Sequence, residues 1–332
     1  MSNELEGHEE MQVLEWWGIP TMFRCPHDTD PKNSDIALVG VPHSSGNGTT
    51  ERDQHLGPRA LRDVAAGYRR VHRKFKLSPW EVCRINDLGD VPLPHAMVND
   101  RTIKDIKTYF KRLDATGTRP VSVGGDHSIT LPILRAIAGK DSNISKGPVA
   151  VVHFDSHTDG YKDDGHFLGN VEWAGAWSRI MNEEGLVIPE KVFQIGIRGH
   201  YDLQSLEDNN ESNTTGYRII EMDEFDEIGV KDVVRELQEK IGDAPVYITF
   251  DLDVLDPSIA PGVSNIVPGF TGMTMREATG ILQGMRGMNV VGADMVCIMP
   301  TKDNPNKITA MNAMVVVFEQ VCLIADYLNS NK

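Results

Sequence analysis

An α/β fold, with a central and mainly parallel β-sheet flanked by helices, is predicted from three features of the sequence. Short apolar runs rich in β-branched residues alternate with longer amphipathic stretches, the signature of βαβ units. Runs such as Val149-Ala-Val-Val-His-Phe are almost continuously apolar, as strands covered on both faces are. No repeat, low-complexity tract or Pro/Gly/Ser-rich linker divides the 332 residues. That length is within reach of one α/β domain.

Residues 1–34 are polar and irregular around Trp16-Trp17-Gly-Ile-Pro. They read as an N-terminal arm packed on the body or on a neighbouring subunit, leaving residues 35–332 as a single catalytic domain. Strands are expected at Ile36–Val41, Pro120–Val123, Val149–Asp155, Val192–Ile197, Val246–Asp251 and Val290–Met295. Helical periodicity marks Pro58–Lys74, Thr102–Ala115, Ser128–Ala138, Glu172–Asn182, Val230–Ile241, Thr274–Met285 and a long apolar stretch from Ile308 to Leu328. Glu207–Gly216 is polar enough to be an exposed loop.

Composition narrows the function. The chain has 33 Lys plus Arg against 48 Asp plus Glu, a formal net charge of −15, and so lacks the basic face of a phosphate-tracking nucleic-acid binder. No apolar run reaches the roughly 18 residues of a membrane span, and the N-terminus lacks the basic-then-apolar plan of a signal peptide. A cytoplasmic protein with neither nucleic-acid nor membrane partners is expected. Cys25, Cys83, Cys297 and Cys322 are scattered, with no CxxC pair, and read as reduced thiols.

In an open parallel sheet, ligands bind beyond the carboxyl ends of the strands. Three expected strands end there in metal-binding residue types. The first runs into Gly124-Gly-Asp-His127-Ser, where glycines suit a tight strand-to-helix turn and His127 stands at the strand end. Taken alone, such a histidine reads as a structural residue. The second ends in Asp155-Ser-His157-Thr-Asp159, and an extended backbone would send these alternate residues to one side. Two carboxylates and an imidazole converging there need a cation to offset their repulsion and desolvation. The third ends in Phe250-Asp251-Leu-Asp253-Val-Leu-Asp256-Pro. Asp251 and Asp253 follow a buried-looking run, whereas Asp256 before Pro257 suits a turn. Oxygen and imidazole donors suit Mn²⁺, Ni²⁺, Fe²⁺ or Zn²⁺, and the lack of thiols argues against a structural zinc site.

These three blocks, in this order, resemble the signature motifs of the ureohydrolase family of arginases, agmatinases and guanidino-acid hydrolases. The similarity runs from about Asp35 to the C-terminus. It implies the three-layer arginase-type α/β fold, an oligomer, and two divalent metal ions per subunit, Ni²⁺ favoured with Mn²⁺ the alternative. By this resemblance one ion would bind His127, Asp155, Asp159 and Asp251. The other would bind Asp155, His157, Asp251 and Asp253, so that Asp155 and Asp251 bridge. Asp159 would accept a hydrogen bond from the attacking hydroxide, and His166 is the candidate proton shuttle, although Asp164-Gly-His166-Phe departs from the usual agmatinase-like Ser-His-Gly. His153 suits a core hydrogen bond. His43, on the first strand-to-helix loop, is a candidate substrate contact.

Departures from the family text bear on substrate. Where arginases and agmatinases usually read Asp-x-x-Glu-x-Asn-Pro, this chain has Asp294-Met-Val-Cys297-Ile-Met299-Pro300. Cys297 thus replaces the glutamate that clamps the guanidinium, and Met299 the asparagine. The loop Pro261–Phe270 also departs, and the residues with which arginases read an amino-acid head are not evident. The block Gly46-Asn-Gly-Thr-Thr-Glu-Arg-Asp resembles the nickel-dependent guanidine hydrolase and metformin hydrolase branch. A small cationic guanidino substrate follows. Guanidine giving urea and ammonia leads, an N-alkylguanidine or biguanide such as metformin comes next, and agmatine third. Trp173 and Trp177, four apart in a helical pattern, read as packing residues that can alternatively accept methyl groups. A homo-oligomer (trimer or hexamer) is expected, and a non-catalytic subunit of a hetero-oligomer is the reading from a different class.

Overall fold

β1 (Ile36–Gly40), β2 (Ile85–Asp90), β3 (Arg119–Val123), β4 (Val149–Phe154), β5 (Val187–Ile197), β6 (Arg218–Glu221), β7 (Val246–Asp251) and β8 (Val290–Val296) form one sheet in the order β2-β1-β3-β8-β7-β4-β5-β6. Every pairing is parallel. The computed structural model describes residues 17–48, 51–68, 70–161, 169–199, 216–268 and 271–332. The stretch expected as a loop at 207–216 lies almost wholly outside them, and so does His166.

The helices form two layers. α1 (Gly57–Ala65), the short α2 (Pro79–Val82), α6 (Met222–Ile241), α7 (Met275–Gly284) and α8 (Ile308–Ser330) meet one face of the sheet, where Ile36, Leu38, Val121, Val123, Val152 and Phe154 are buried. α3 (Asn99–Thr116), α4 (Thr130–Ile137) and α5 (Trp177–Glu183) cover the other, against Ala37, Val39, Val149, Val151, Tyr247 and Val291. Alternate strand residues therefore enter opposite cores, which explains why both strand faces read as apolar.

All six expected strands form. Two were not expected, β2 and β6, and both are sheet edges. β2 reads Ile-Asn-Asp-Leu-Gly-Asp and β6 Arg-Ile-Ile-Glu, too polar or too short to show an apolar run. α1 stops at Ala65 rather than extending to Lys74: a turn follows at Ala66 and Gly67, and His72 further on pairs with Leu77 in an antiparallel bridge. α5 begins at Trp177, not Glu172, so Trp173 precedes the helix.

α8 corrects the expectation that no segment is apolar enough for a membrane. Its mean hydropathy of 1.8 meets the length and composition of a span, but 78% of that window is buried within the fold. Gln320 donates from it to the Asp294 carbonyl at 2.7 Å. It is a core helix. The described part of the N-terminal segment is also built in: Phe23 is fully buried, its ring 5.7 Å from Trp80 and 5.9 Å from Phe318.

Candidate metal centre

The ligand candidates converge at the carboxyl ends of β3, β4 and β7. At β3 the glycines act through close approach and not through a left-handed backbone. A Cβ on Gly125 would stand 1.9 Å from the His43 carbonyl oxygen, so only hydrogen fits beneath the loop that delivers His127. Beyond β4 the chain bends rather than continuing extended, and Asp159 adopts φ 48. Residues 155, 157 and 159 thus converge through that bend, not through strand alternation. Beyond β7, Asp251 caps a 3₁₀ turn by accepting from the Asp253 amide at 2.9 Å.

His127 is the hub. Its Nδ1 lies 3.0 Å from Asp155 Oδ2, 3.0 Å from Asp159 Oδ2 and 3.2 Å from Asp251 Oδ2. His157 Nδ1 stands between Asp155 Oδ1 at 3.3 Å and Asp253 Oδ2 at 3.2 Å. Asp155 therefore turns one oxygen to each imidazole, as a bridging ligand must. All six residues are together, and all but His157 are buried.

Their surroundings fix orientation. Thr249 donates to Asp294 Oδ1 at 2.6 Å, which leaves its oxygen to accept from His127 Nε2 at 2.8 Å. The Nδ1 lone pair of His127 is then aimed at the carboxylates. Tyr247 and Thr130 also donate to Asp294, each at 2.8 Å. Trp177 Nε1 donates to Asp159 Oδ2 at 2.8 Å. His153, fully buried, meets Asp155 Oδ2 at 2.8 Å and Gln194 at 3.1 Å. Arg198 ties the Ser156 carbonyl, through its own amide, to the carbonyls of Asp253 and Val254. Sequence reasoning missed Thr249 and Gln194, which look like ordinary strand residues until the sheet is assembled, and Arg198, which directly follows β5.

The electrostatics call for a cation. Burial, then Asp253 and Asp155, push the Asp251 carboxyl up to about 8. Burial opposes charge on His127, yet Asp155, Asp159 and Asp251 hold its pKa well above the ordinary imidazole value. Despite these close approaches, His127 Nδ1 and Asp253 Oδ2 are buried and make no well-aligned hydrogen bond. Among the described residues, His127, His153, Asp155 and Asp159 form one potential ligand group, and Asp155, His157 and Asp253 another. Orphaned donor atoms on an acidic, imidazole-bearing cluster are what divalent ions satisfy.

A pocket of about 280 Å³ opens over the cluster, lined by His127, His157, Asp159, Asp251, Cys297, Asn47, Asn265, Tyr161 and Trp173 among others. Cys297 reaches it from a left-handed backbone, φ 68, and its Sγ groups with His127 and Asp251. Met299 and His43 do not line it. Met299 is buried, its amide bonded to the Gly262 carbonyl at 2.7 Å. His43 is fully buried with Nε2 2.8 Å from Asn99 Oδ1, so it packs the loop instead of facing a ligand. Trp177 is a packing residue as expected, 4.7 Å from the His127 ring, whereas Trp173 is a pocket wall.

A parallel α/β sheet with a buried His/Asp cluster at its strand ends defines a metal-binding protein of the three-layer type. The Arginase family model matches residues 34–322. The chain is 38% identical over 315 residues to guanidinopropionase of Pseudomonas aeruginosa, covering 95% of this chain and 94% of that protein. It is 33% identical over 309 residues to the mitochondrial agmatinase of Gallus gallus, covering 92% and 86%. Proclavaminate amidino hydrolase from Streptomyces clavuligerus superposes with a TM-score of 0.84 at 30% identity, over 94% of this chain and 99% of that one. The chain belongs to the arginase family, ureohydrolases that cleave C–N bonds of guanidino compounds and use a binuclear divalent metal centre.

Proposed function

We propose that the chain hydrolyses a small guanidino compound without an amino-acid head, with guanidine itself, giving urea and ammonia, as the leading substrate. One observation carries this reading: Cys297 faces the pocket in place of a carboxylate, and no Lys or Arg lines the pocket among the described residues. A guanidino acid would find no cation there for its carboxylate. The pocket volume of about 280 Å³ also lies below the roughly 300–1,000 Å³ of sites for drug-sized ligands. It still exceeds what three amino groups on one carbon fill, which favours N-alkylguanidines or a biguanide such as metformin as the second reading.

Two divalent ions, nickel favoured and manganese the alternative, held by His127, Asp155, Asp159 and Asp251 and by Asp155, His157, Asp251 and Asp253, would lower the pKa of a shared water from about 15.7 towards 7. Asp159 would take a proton from the nucleophile, a role supported by its Oδ2 lying beside His127 and being held by the Trp177 indole. That carboxyl can then return the proton to the leaving nitrogen. His166 is the proposed shuttle to solvent, and His166→Asn would lower kcat if it serves. Retention of all six ligand candidates favours an enzyme over a non-catalytic subunit.

The test is urea and amine release by the full chain, loaded separately with Ni²⁺ and Mn²⁺, from guanidine, N,N-dimethylguanidine, metformin, agmatine and 3-guanidinopropionate. Turnover of the first two or three supports the reading. Exclusive turnover of 3-guanidinopropionate or agmatine would replace it, and no turnover of any would remove it. A homo-oligomer, trimer or hexamer, belongs to the same proposal, and light scattering of the purified chain checks it.

A further inference from the structure

With the carboxylate clamp replaced by Cys297, a cation entering the pocket needs another source of attraction. Part of the pocket wall is aromatic. Tyr161 and Trp173 both line the pocket, their rings within 20° of parallel and 6.0 Å apart. The pair is held in place by Gly175. Its carbonyl accepts from the Tyr161 amide at 2.9 Å. A Cβ on Gly175 would lie 2.3 Å from Trp173 Cη2 and 2.5 Å from Cζ3, so the benzo edge of the indole occupies the space a side chain would take. The bare glycine is thus a condition for the position of Trp173.

Resting on the guanidino-hydrolase reading, we infer that Trp173, supported by Tyr161 and Gly175, is the specificity-determining binding residue, taking the planar guanidinium against its ring. A guanidinium is planar, delocalised and weakly hydrated, and it stacks on aromatic faces. Such a wall attracts the cation without a fixed carboxylate, and it also tolerates N-methyl groups, which would desolvate a carboxylate clamp. The site therefore selects for cationic character and flatness more than for the number of free N–H groups.

The experiment uses the full chain loaded with Ni²⁺ or Mn²⁺, comparing wild type with Trp173→Leu, Trp173→Phe and Gly175→Ala. Metal content, steady-state kinetics, and calorimetric binding of guanidinium and N,N-dimethylguanidinium are measured for each. Trp173→Leu should raise KM and Kd by about tenfold or more with kcat less affected, and Trp173→Phe by no more than about threefold. Gly175→Ala should repeat the rise in KM and Kd with the tryptophan still present, and metal content should stay at the wild-type value in all three. Unchanged KM and Kd in both Trp173→Leu and Gly175→Ala would overturn the inference, as would a fall in kcat alone or a loss of metal. If the wild type binds these cations through Trp173 but turns none over, the inference stands and the hydrolytic reading fails. If the wild type binds neither cation, the inference fails.

Discussion

The Trp177 indole donates to Asp159 Oδ2 at 2.8 Å while its ring lies 4.7 Å from the His127 ring and 4.9 Å from that of His153. One buried side chain thus holds the carboxylate proposed for proton transfer and packs against two of the imidazoles beside it. Asp159 sits at φ 48, in the left-handed region that aspartate tolerates better than most non-glycine residues. Trp177→Phe keeps an aromatic ring against the imidazoles but removes the N–H and leaves a small cavity. Losing a hydrogen bond to a charged group costs about 1.5–3 kcal/mol. A drop in kcat of about tenfold or more, with KM little changed, should appear in steady-state kinetics; an unchanged kcat would remove the positioning role.

The acidic cluster makes the metal-free fold sensitive to pH. Asp251 is pushed up to about 8 by burial and by Asp253 and Asp155, and burial with Asp155 likewise raises Asp253. Groups with raised pKa stabilise the fold at low pH and lose that contribution as pH rises through the folded value. Asp155 shifts the other way, so its contribution is already complete above the ordinary carboxylate range. The melting temperature of chelated protein should therefore fall between about pH 4 and 8, and fall less in Asp251→Asn. Adding Ni²⁺ or Mn²⁺ should reverse the trend in the wild type, because the cations need ionised ligands. Asp251→Asn should also lose metal and activity, as inductively coupled plasma analysis and urea release would show.

Asp294 orients the cluster without joining it, accepting from Thr249, Tyr247 and Thr130. Asp294→Ala strands three buried hydroxyls and frees the His127 ring. Thermal or denaturant unfolding should report a loss on the order of 3 kcal/mol. Metal affinity should weaken about 10–100-fold, the usual effect of losing a partner behind a ligand. Wild-type affinity in that variant would show that Thr249 alone suffices.

The pocket thiol should be unreactive. Burial, then Asp251 and Asp253, hold the Cys297 pKa well above the ordinary thiol value in the metal-free chain. Each unit of upward shift removes about nine-tenths of the thiolate. Alkylation of native metal-free protein by iodoacetamide at pH 8, followed by mass spectrometry, should be slower at Cys297 than in the unfolded chain by about tenfold or more. Comparable rates would contradict the burial.

How much of this was legible in the sequence depended on how locally each feature is encoded. The D-x-H-x-D block and the paired aspartates carry their chemistry within a few residues, so five of the six ligand candidates stood out from their own spacing, whereas His127 joined them only through the resemblance of the three blocks together. The central strands stood out as well, because burial on both faces leaves a continuous apolar run. Thr249 and Asp294 did not, since their role arises only where β7 and β8 lie side by side, with Thr249 registered against Asp294. His43 misled for the opposite reason: its loop lies near the site, but the ring turns inward to Asn99. Trp173 was read first as packing because of a helical spacing to Trp177 that the chain does not use, with a pocket role only as the alternative.

The two strands that the sequence concealed are the two ends of the sheet, and their polarity bears on how the molecules behave at high concentration. An exposed parallel edge invites strands from other molecules. β6 limits that risk by being four residues long. β2 is covered instead: Asp87 donates its amide to the Pro26 carbonyl at 2.9 Å, and its carbonyl accepts from Asp28 at 3.2 Å. A chain begun at Asp35 would keep every ligand of the centre but uncover that row of backbone groups, and its first defect would be self-association in solution before any loss of chemistry.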